Sequence, residues 1–464
     1  MALSSLFLAL LLFSPLSHSL TLTVRAPIEL SNQGDLSYYA DLTLNGRVFN
    51  VLVDTGSADL WVAGAVLGAT DTGYRGSFGN HTVPNQAFIE VAPSSIHPEG
   101  HGILGLGPST GSFITDLVPT GTPLLSHLFS LNRTTPNFFT ILLGRERDPT
   151  DHYTGSLTIG EVLPDRNAIL DQPRINIVKL PPSRQDQQHL QVLLDRDGLL
   201  GPDGQVIPMT SVVSQMEDKS RMTVVLDSGF SLPQVPRAVA DALYSRFHGA
   251  EFVTVNGIGP TYILPCDAEV NATFVFSGRQ YPMHPLDMTM DPSVLGLGSV
   301  VNSRGELACV ATFQPFTYDR GANPTYDMVL GMAFMRNVYT LFDYGDFTSP
   351  NDTSSSTIDP PYIQLLSLTD PSEGHRDFVT VRLGGIDTPP RGLTPSGTNT
   401  NQDEDNNSNS NSKNNKHVYA IIGSVVRKKE QESTEEGKRK TMMDADAERL
   451  GDSSLTHRPG PTLF

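Results

Sequence analysis

The strongest constraint on the fold is a short device that occurs twice. Val51-Leu52-Val53-Asp54-Thr55-Gly56 and Val224-Val225-Leu226-Asp227-Ser228-Gly229 both read apolar-apolar-apolar-Asp, then a small hydroxylated residue, then glycine. Each has a later apolar-apolar-glycine partner, Ile103-Leu104-Gly105 for the first and Val329-Leu330-Gly331 for the second. A single Asp-x-Gly after apolar residues is usually an ordinary turn closing a strand. Two in matched contexts, each with a matched downstream segment, point instead to two similar lobes, each presenting one carboxylate at the end of a buried strand. Gly56 and Gly229 allow tight turns that bring backbone N–H groups to the carboxylates.

The surrounding pattern is that of strands. Short runs rich in Val, Leu, Thr and Tyr recur at LSYYADLTL, RVFNVLVDTG, VPNQAFIEV, FFTILLG, GSLTIGEV, MTVVLDSG, TFVFSG and VYTLFDYG, separated by Gly, Asn and Pro. The clearest helical pattern is Arg237–His248, which follows Pro236. Many short strands and few helices predict a mainly β, bilobal protein with a cleft between two β lobes. The polar stretch PPSRQDQQHL places the lobe boundary near residue 190, giving lobes over 20–190 and 191–349. Beyond them, 350–388 reads as an extension in which YIQLLSL and FVTVRLGG can still form strands. Residues 389–464 begin with a segment rich in Asn, Ser, Asp and Thr and are expected to be largely disordered.

A facing pair of carboxylates has a definite chemistry. Like charges about 3 Å apart cannot both ionise cheaply, so the two groups share one proton and titrate as a unit. The ionised member can take a proton from an attacking water. The protonated member can hydrogen-bond the carbonyl oxygen and hand a proton on. That is enough to hydrolyse a peptide bond with no metal, cofactor or covalent intermediate. Two other hydrolytic and nucleotide motifs are absent from the sequence: it contains no H-E-x-x-H and no Gly-rich phosphate loop. Fifty acidic against 32 basic residues, a formal charge of −18, argue against a nucleic-acid partner.

The first nineteen residues, MALSSLFLALLLFSPLSHS, read as a signal peptide, which predicts a secreted or extracellular protein, or one at the cell surface or in the vacuole. The two cysteines, Cys266 and Cys309, are then expected to pair, and no histidine spacing near them suggests a metal. Sequons at Asn80, Asn132, Asn271, Asn351 and Asn406 fit glycosylation in the same compartment. The apolar run at 418–426 has nine residues, too few to cross a bilayer, which takes about 20. A basic cluster directly after it resembles the remains of a membrane-anchor junction, and no complete anchor is expected. A monomer is expected.

Taken together, these segments resemble the pepsin-like family of aspartic peptidases. DTGSADLWV at 54–62 is similar to that family's first active-site signature and VVLDSG at 224–229 to its second, while VLGMAFMRNVYTLFDYG resembles its C-terminal region. Cys266 and Cys309 match the place of its C-lobe disulfide. The likeness spans roughly 30–349 and is greatest to secreted or surface fungal members. It implies Asp54 and Asp227 as catalysts, with Ser57 bonding Asp54. It also implies a hydrogen-bond network through Thr55, Gly56, Ser228 and Gly229, Trp61 as support for the cleft, and an extended protein or peptide substrate.

Two departures bear on activity. Phe230 stands where the family carries Thr or Ser, whose hydroxyl orients the second aspartate. Tyr74 follows Asp54 by only twenty residues, closer than the family's flap tyrosine, so at least one flap strand is expected to be missing. Tyr74 is a candidate flap residue of a truncated hairpin, against which an ordinary turn tyrosine is the favoured reading. An acid endopeptidase is the leading expectation, and a catalytically weak or inactive peptide-binding protein is the alternative.

Overall fold

A computed structural model describes residues 27–66, 74–78, 81–117, 121–131, 136–348, 360–389 and 391–394. The signal peptide, the tail from 395 and the sequons at Asn80, Asn132, Asn351 and Asn406 lie outside these residues, whereas Asn271 is exposed on the surface.

The first sheet is built on a hairpin, Ser37–Leu44 against Arg47–Asp54. Tyr38, Ala40, Leu42 and Leu44 alternate into the core, as a half-buried strand requires. Asn45 and Gly46 take positive φ (46° and 85°), the backbone of a tight two-residue hairpin turn. Alternation stops at the end of the second strand, where Val51, Leu52, Val53 and Asp54 are all buried. That strand is covered on both faces because His101–Gly105 runs parallel beside it, pairing Val53 with Leu104 and Asp54 with Gly105.

The second lobe repeats the device. Thr223–Leu226 lies parallel to Met328–Leu330, with Val225 opposite Val329 and Leu226 opposite Leu330. Gln191–Leu193 pairs antiparallel on its other side. Both glycines of the apolar-apolar-glycine segments lie under a crossing chain. A Cβ on Gly105 would meet the Ala58 carbonyl carbon at 2.4 Å, and one on Gly331 would meet the Phe230 oxygen at 2.2 Å.

A six-stranded sheet joins the halves of the chain. Phe138–Leu143 pairs with Gly155–Ile159 on one side and with Val338–Asp343 on the other. Tyr362–Ser367, read from sequence as part of an extension, continues this sheet and pairs with Val338–Asp343 along its whole length. FVTVRLGG departs from the strand expectation. Phe378–Arg382 forms the last turns of the helix Pro371–Arg382, which Asp370 caps through Ser372 N and Glu373 N. Pro371 at the first helical position and the Asp370 cap outweigh the β-branched residues of the following segment. The helix expected from Arg237 runs to Tyr244. Cys266 and Cys309 are disulfide-bonded, as expected.

Candidate active site

Asp54 and Asp227 end their strands and meet across the join between the lobes, buried to 7% and 4% exposure. Each carboxylate is held by its own turn: Gly56 N donates to Asp54 Oδ1 at 2.8 Å, and Gly229 N donates to Asp227 Oδ1 at 2.8 Å. Each also lies against the other's glycine. A Cβ on Gly56 would stand 2.0 Å from Asp227 Oδ2, and one on Gly229 would stand 2.3 Å from Asp54 Oδ1. The glycines are therefore a condition for the two acids to face one another.

Beneath the pair the loops are cross-bonded with near two-fold symmetry. Thr55 N donates to Ser228 Oγ (3.1 Å) and Ser228 N to Thr55 Oγ1 (2.9 Å). Each hydroxyl then donates to the lobe opposite, Thr55 Oγ1 to the Leu226 carbonyl (2.9 Å) and Ser228 Oγ to the Val53 carbonyl (2.7 Å). All four bonds are buried, where each is electrostatically stronger than in water and the relative position of the loops is fixed. Below Asp54, Leu106 N donates to its carbonyl at 2.7 Å and Gly107 N to the Ser57 carbonyl at 2.6 Å.

The symmetry fails at the fourth position. Ser57 Oγ donates to Asp54 Oδ2 at 2.5 Å, but the equivalent residue in the second loop is Phe230. Its ring turns away into a cluster with Val225, Tyr326 and Val329. The neighbouring Ser231 does not replace the missing hydroxyl, because its Oγ donates to the Leu36 carbonyl.

Among the other expected residues, Trp61 lies half-buried in the strand Leu60–Ala63, edge-on to His97 with ring centres 4.7 Å apart. Tyr74 is not brought to the pair. Its strand, Tyr74–Phe78, joins the sheet with Gly76 opposite Leu44, which itself pairs with Arg47 at the start of the Asp54 strand. Arg47 and Asp54 are the two ends of that strand, roughly 23 Å apart at about 3.3 Å per residue. The backbone register thus sets Tyr74 at the far end of the sheet from the carboxylates, and a flap role for it is not supported.

Several residues of the site carry no local signal in the sequence. Tyr344, fully buried, donates to the Leu106 carbonyl and so supports the loop under Asp54. Asp59 accepts from Ser112 Oγ (2.5 Å) and Phe113 N (2.7 Å), and burial pushes its carboxyl up despite these bonds. His189 reaches the Gly56 carbonyl at 3.2 Å.

One further cluster, Asp148, His284 and Asp377, places three potential ligand atoms within 4.8 Å of one another. Its bonding suits a hydrogen-bonded interior better than a metal. Asp148 is already paired with Arg145 and accepts from Thr150 N and Asp151 N. His284 Nδ1 accepts from Leu286 N at 3.2 Å, so the ring proton sits on Nε2, facing Asp377.

A family model described as eukaryotic aspartyl protease matches residues 69–349, more than half of the chain, including Asp227 and beginning after Asp54. The chain belongs to this family. Among its relatives is Major aspartyl peptidase 1 of Cryptococcus neoformans, 25% identical over 358 residues, covering 68% of each chain. Vacuolar protease A of Aspergillus fumigatus is 22% identical over 366 residues, covering 69% of this chain and 80% of its own. Candidapepsin-3 of Candida albicans is 23% identical over 372 residues, with coverages of 69% and 80%. Among solved structures, the aspartic proteinase from Irpex lacteus superposes with a TM-score of 0.52 at 16% identity, covering 74% of this chain and 97% of that one. The mainly β architecture is thus the pepsin-like aspartic-protease fold, and the family supports a hydrolytic mechanism of the aspartic-protease kind.

Proposed function

We propose that this protein is an endopeptidase that hydrolyses peptide bonds in acid, with water activated between Asp54 and Asp227. The observation that carries the reading is the reciprocal bonding of Thr55 and Ser228, which holds both carboxylates against each other's glycine turn. In that arrangement one proton is shared. The ionised carboxylate accepts a proton from water as it attacks, and the protonated one gives its proton to the carbonyl oxygen; as the C–N bond breaks, the proton taken from water passes to the leaving amine and a diol hydroxyl returns its proton to the other carboxylate. The substrate is an extended peptide or protein segment laid across the join between the lobes. The relatives' names, vacuolar in one case, together with the apolar first nineteen residues, support a secreted or vacuolar location.

A second reading, a weak or inactive peptide-binding protein, is favoured by Phe230 and by the placement of Tyr74 away from the pair. A substrate that is poorly covered leaves water poorly excluded. Cleavage of a peptide library across pH, with a pepstatin-like inhibitor as control, separates the two. The endopeptidase reading expects inhibitor-sensitive cleavage near pH 3–5 that Asp54→Asn abolishes. Inhibitor binding with no turnover at any pH supports the second reading, and full activity in Asp54→Asn refutes the mechanism.

A further inference from the structure

The Gly56 peptide has the most crowded position in the site. Its N–H holds Asp54, its Cα lies against Asp227, and its carbonyl leads directly to Ser57, whose hydroxyl holds the other oxygen of Asp54. Its N–H and its carbonyl belong to the two successive peptide units that meet at its Cα, so the conformation of this one residue sets two of the bonds made to Asp54. On its carbonyl side the partner is a side chain distant in sequence: His189 Nδ1 lies 3.2 Å from the Gly56 oxygen.

His189 is well placed to act as a fixed point. It sits two residues before the strand Gln191–Leu193, in which Gln191 pairs with Val225 and Val192 with Val224. Extending that register sets His189 opposite Asp227, and Leu226 N donates to the Leu190 carbonyl at 3.3 Å. The preceding Gln188 is buried and anchors the backbone, accepting from Leu180 N at 2.7 Å while donating to the Val178 and His189 carbonyls. Tyr326 packs edge-on against the imidazole, ring centres 5.6 Å apart at 84°. Tyr326 also borders Phe230 in the apolar cluster beside the second loop.

We propose that His189 is a positioning residue for the reaction: by donating from Nδ1 to the Gly56 carbonyl it ties the Asp54 turn to the segment lying opposite Asp227. This rests on the endopeptidase reading. A carbonyl oxygen only accepts, so Nδ1 carries the proton. The imidazolium also carries a proton on Nδ1, so the bond survives in acid, where the proposed reaction runs. The tie adds to the four bonds made through Thr55 and Ser228 beneath the pair. It strengthens the side of the pair that keeps its hydroxyl, Ser57.

The test compares His189→Leu, which removes the donor, with His189→Asn, whose side-chain amide can place an N–H near the position of Nδ1. With a peptide substrate at its optimal pH, His189→Leu is expected to lose about tenfold in kcat with KM nearly unchanged, the factor supported by one ordinary hydrogen bond. His189→Asn is expected to recover most of that loss. A merely structural role would move the thermal midpoint and leave both variants equally impaired. Wild-type kcat in His189→Leu, a change confined to KM, or equal losses in the two variants would overturn the inference while leaving the endopeptidase reading intact. A wild-type protein without pepstatin-sensitive turnover would overturn both. Should His189→Leu fail to fold, the nitrogen-15 spectrum of the wild-type imidazole at neutral pH decides the matter. A proton on Nδ1 is expected, and a neutral ring with its proton on Nε2 alone overturns the proposal.

Discussion

Replacing Asp287 with asparagine should destabilise the protein in a way that depends on pH. Asp287 is 1% exposed and receives three donors: Arg336 Nε at 2.7 Å, Arg145 Nη2 at 2.6 Å and Asn337 Nδ2 at 2.8 Å. Arg336 continues to the Asp35 carbonyl (2.8 Å) and Arg145 to Asp148, so the cluster ties the first sheet and the loop after Phe138–Leu143 to the second lobe. Asp287→Asn keeps the shape and removes the charge between two buried guanidiniums. Leaving a buried charge without its counter-ion costs about 3–5 kcal/mol. Burial alone would raise the Asp287 carboxyl, but Arg145 and Arg336 outweigh it and hold the group well below the usual carboxylate range. A depressed folded-state value means stability that is fully present above the unfolded value, about 3.9, and lost as pH falls towards the folded one. The gap between wild type and variant in urea unfolding should therefore be full at about pH 6 and still large at about pH 4. It should close only in stronger acid. An unchanged unfolding midpoint at about pH 6, or a gap that is undiminished at about pH 1, would refute the reasoning.

Three further substitutions test the site and its frame. Gly56→Ala places a methyl group 2.0 Å from Asp227 Oδ2, so the carboxylates must part by about an ångström, and kcat should fall roughly a hundredfold while the fold, read by circular dichroism, persists. Thr55→Val keeps the shape but removes both bonds made by the Thr55 hydroxyl. Left unpaired, the buried Ser228 N–H should lower the unfolding free energy by about 1–3 kcal/mol in denaturant titration. Replacing Cys266 and Cys309 together with serine opens a cross-link spanning 43 residues, and the loss should be ~3–4 kcal/mol by the same measurement.

Much of the site was legible because it is built from local chemistry. An aspartate at the end of a buried strand, a hydroxylated residue and a glycine form a unit whose backbone geometry follows from three adjacent residues, and the unit occurs twice. The long-range partners were not legible. Nothing in VYTLFDYG indicates that Tyr344 lies under Leu106, and nothing around PPSRQDQQHL singles out His189 from other polar-loop histidines. The place of Tyr74 was not legible for a related reason: its distance from Asp54 is short for a flap tyrosine, and only strand register, set by pairing with Leu42–Leu44, carries its strand to the end of the sheet away from Asp54. The tail of the fold misled through propensity, since FVTVR favours strand until the Asp370 cap and Pro371 begin a helix in front of it.

By itself the sequence determined that there are two lobes, that each contributes one carboxylate, and that Phe230 withholds a hydroxyl from the second. These follow from residue type and adjacency, which no folding can alter. Only the tertiary structure decided what stands behind the pair. It placed the hydroxyls of Thr55 and Ser228 on each other's N–H groups, set His189 on the Gly56 carbonyl, and enclosed Asp287 between Arg145 and Arg336. Those partners are separated by tens to hundreds of residues, and only tertiary packing brings them within hydrogen-bonding distance.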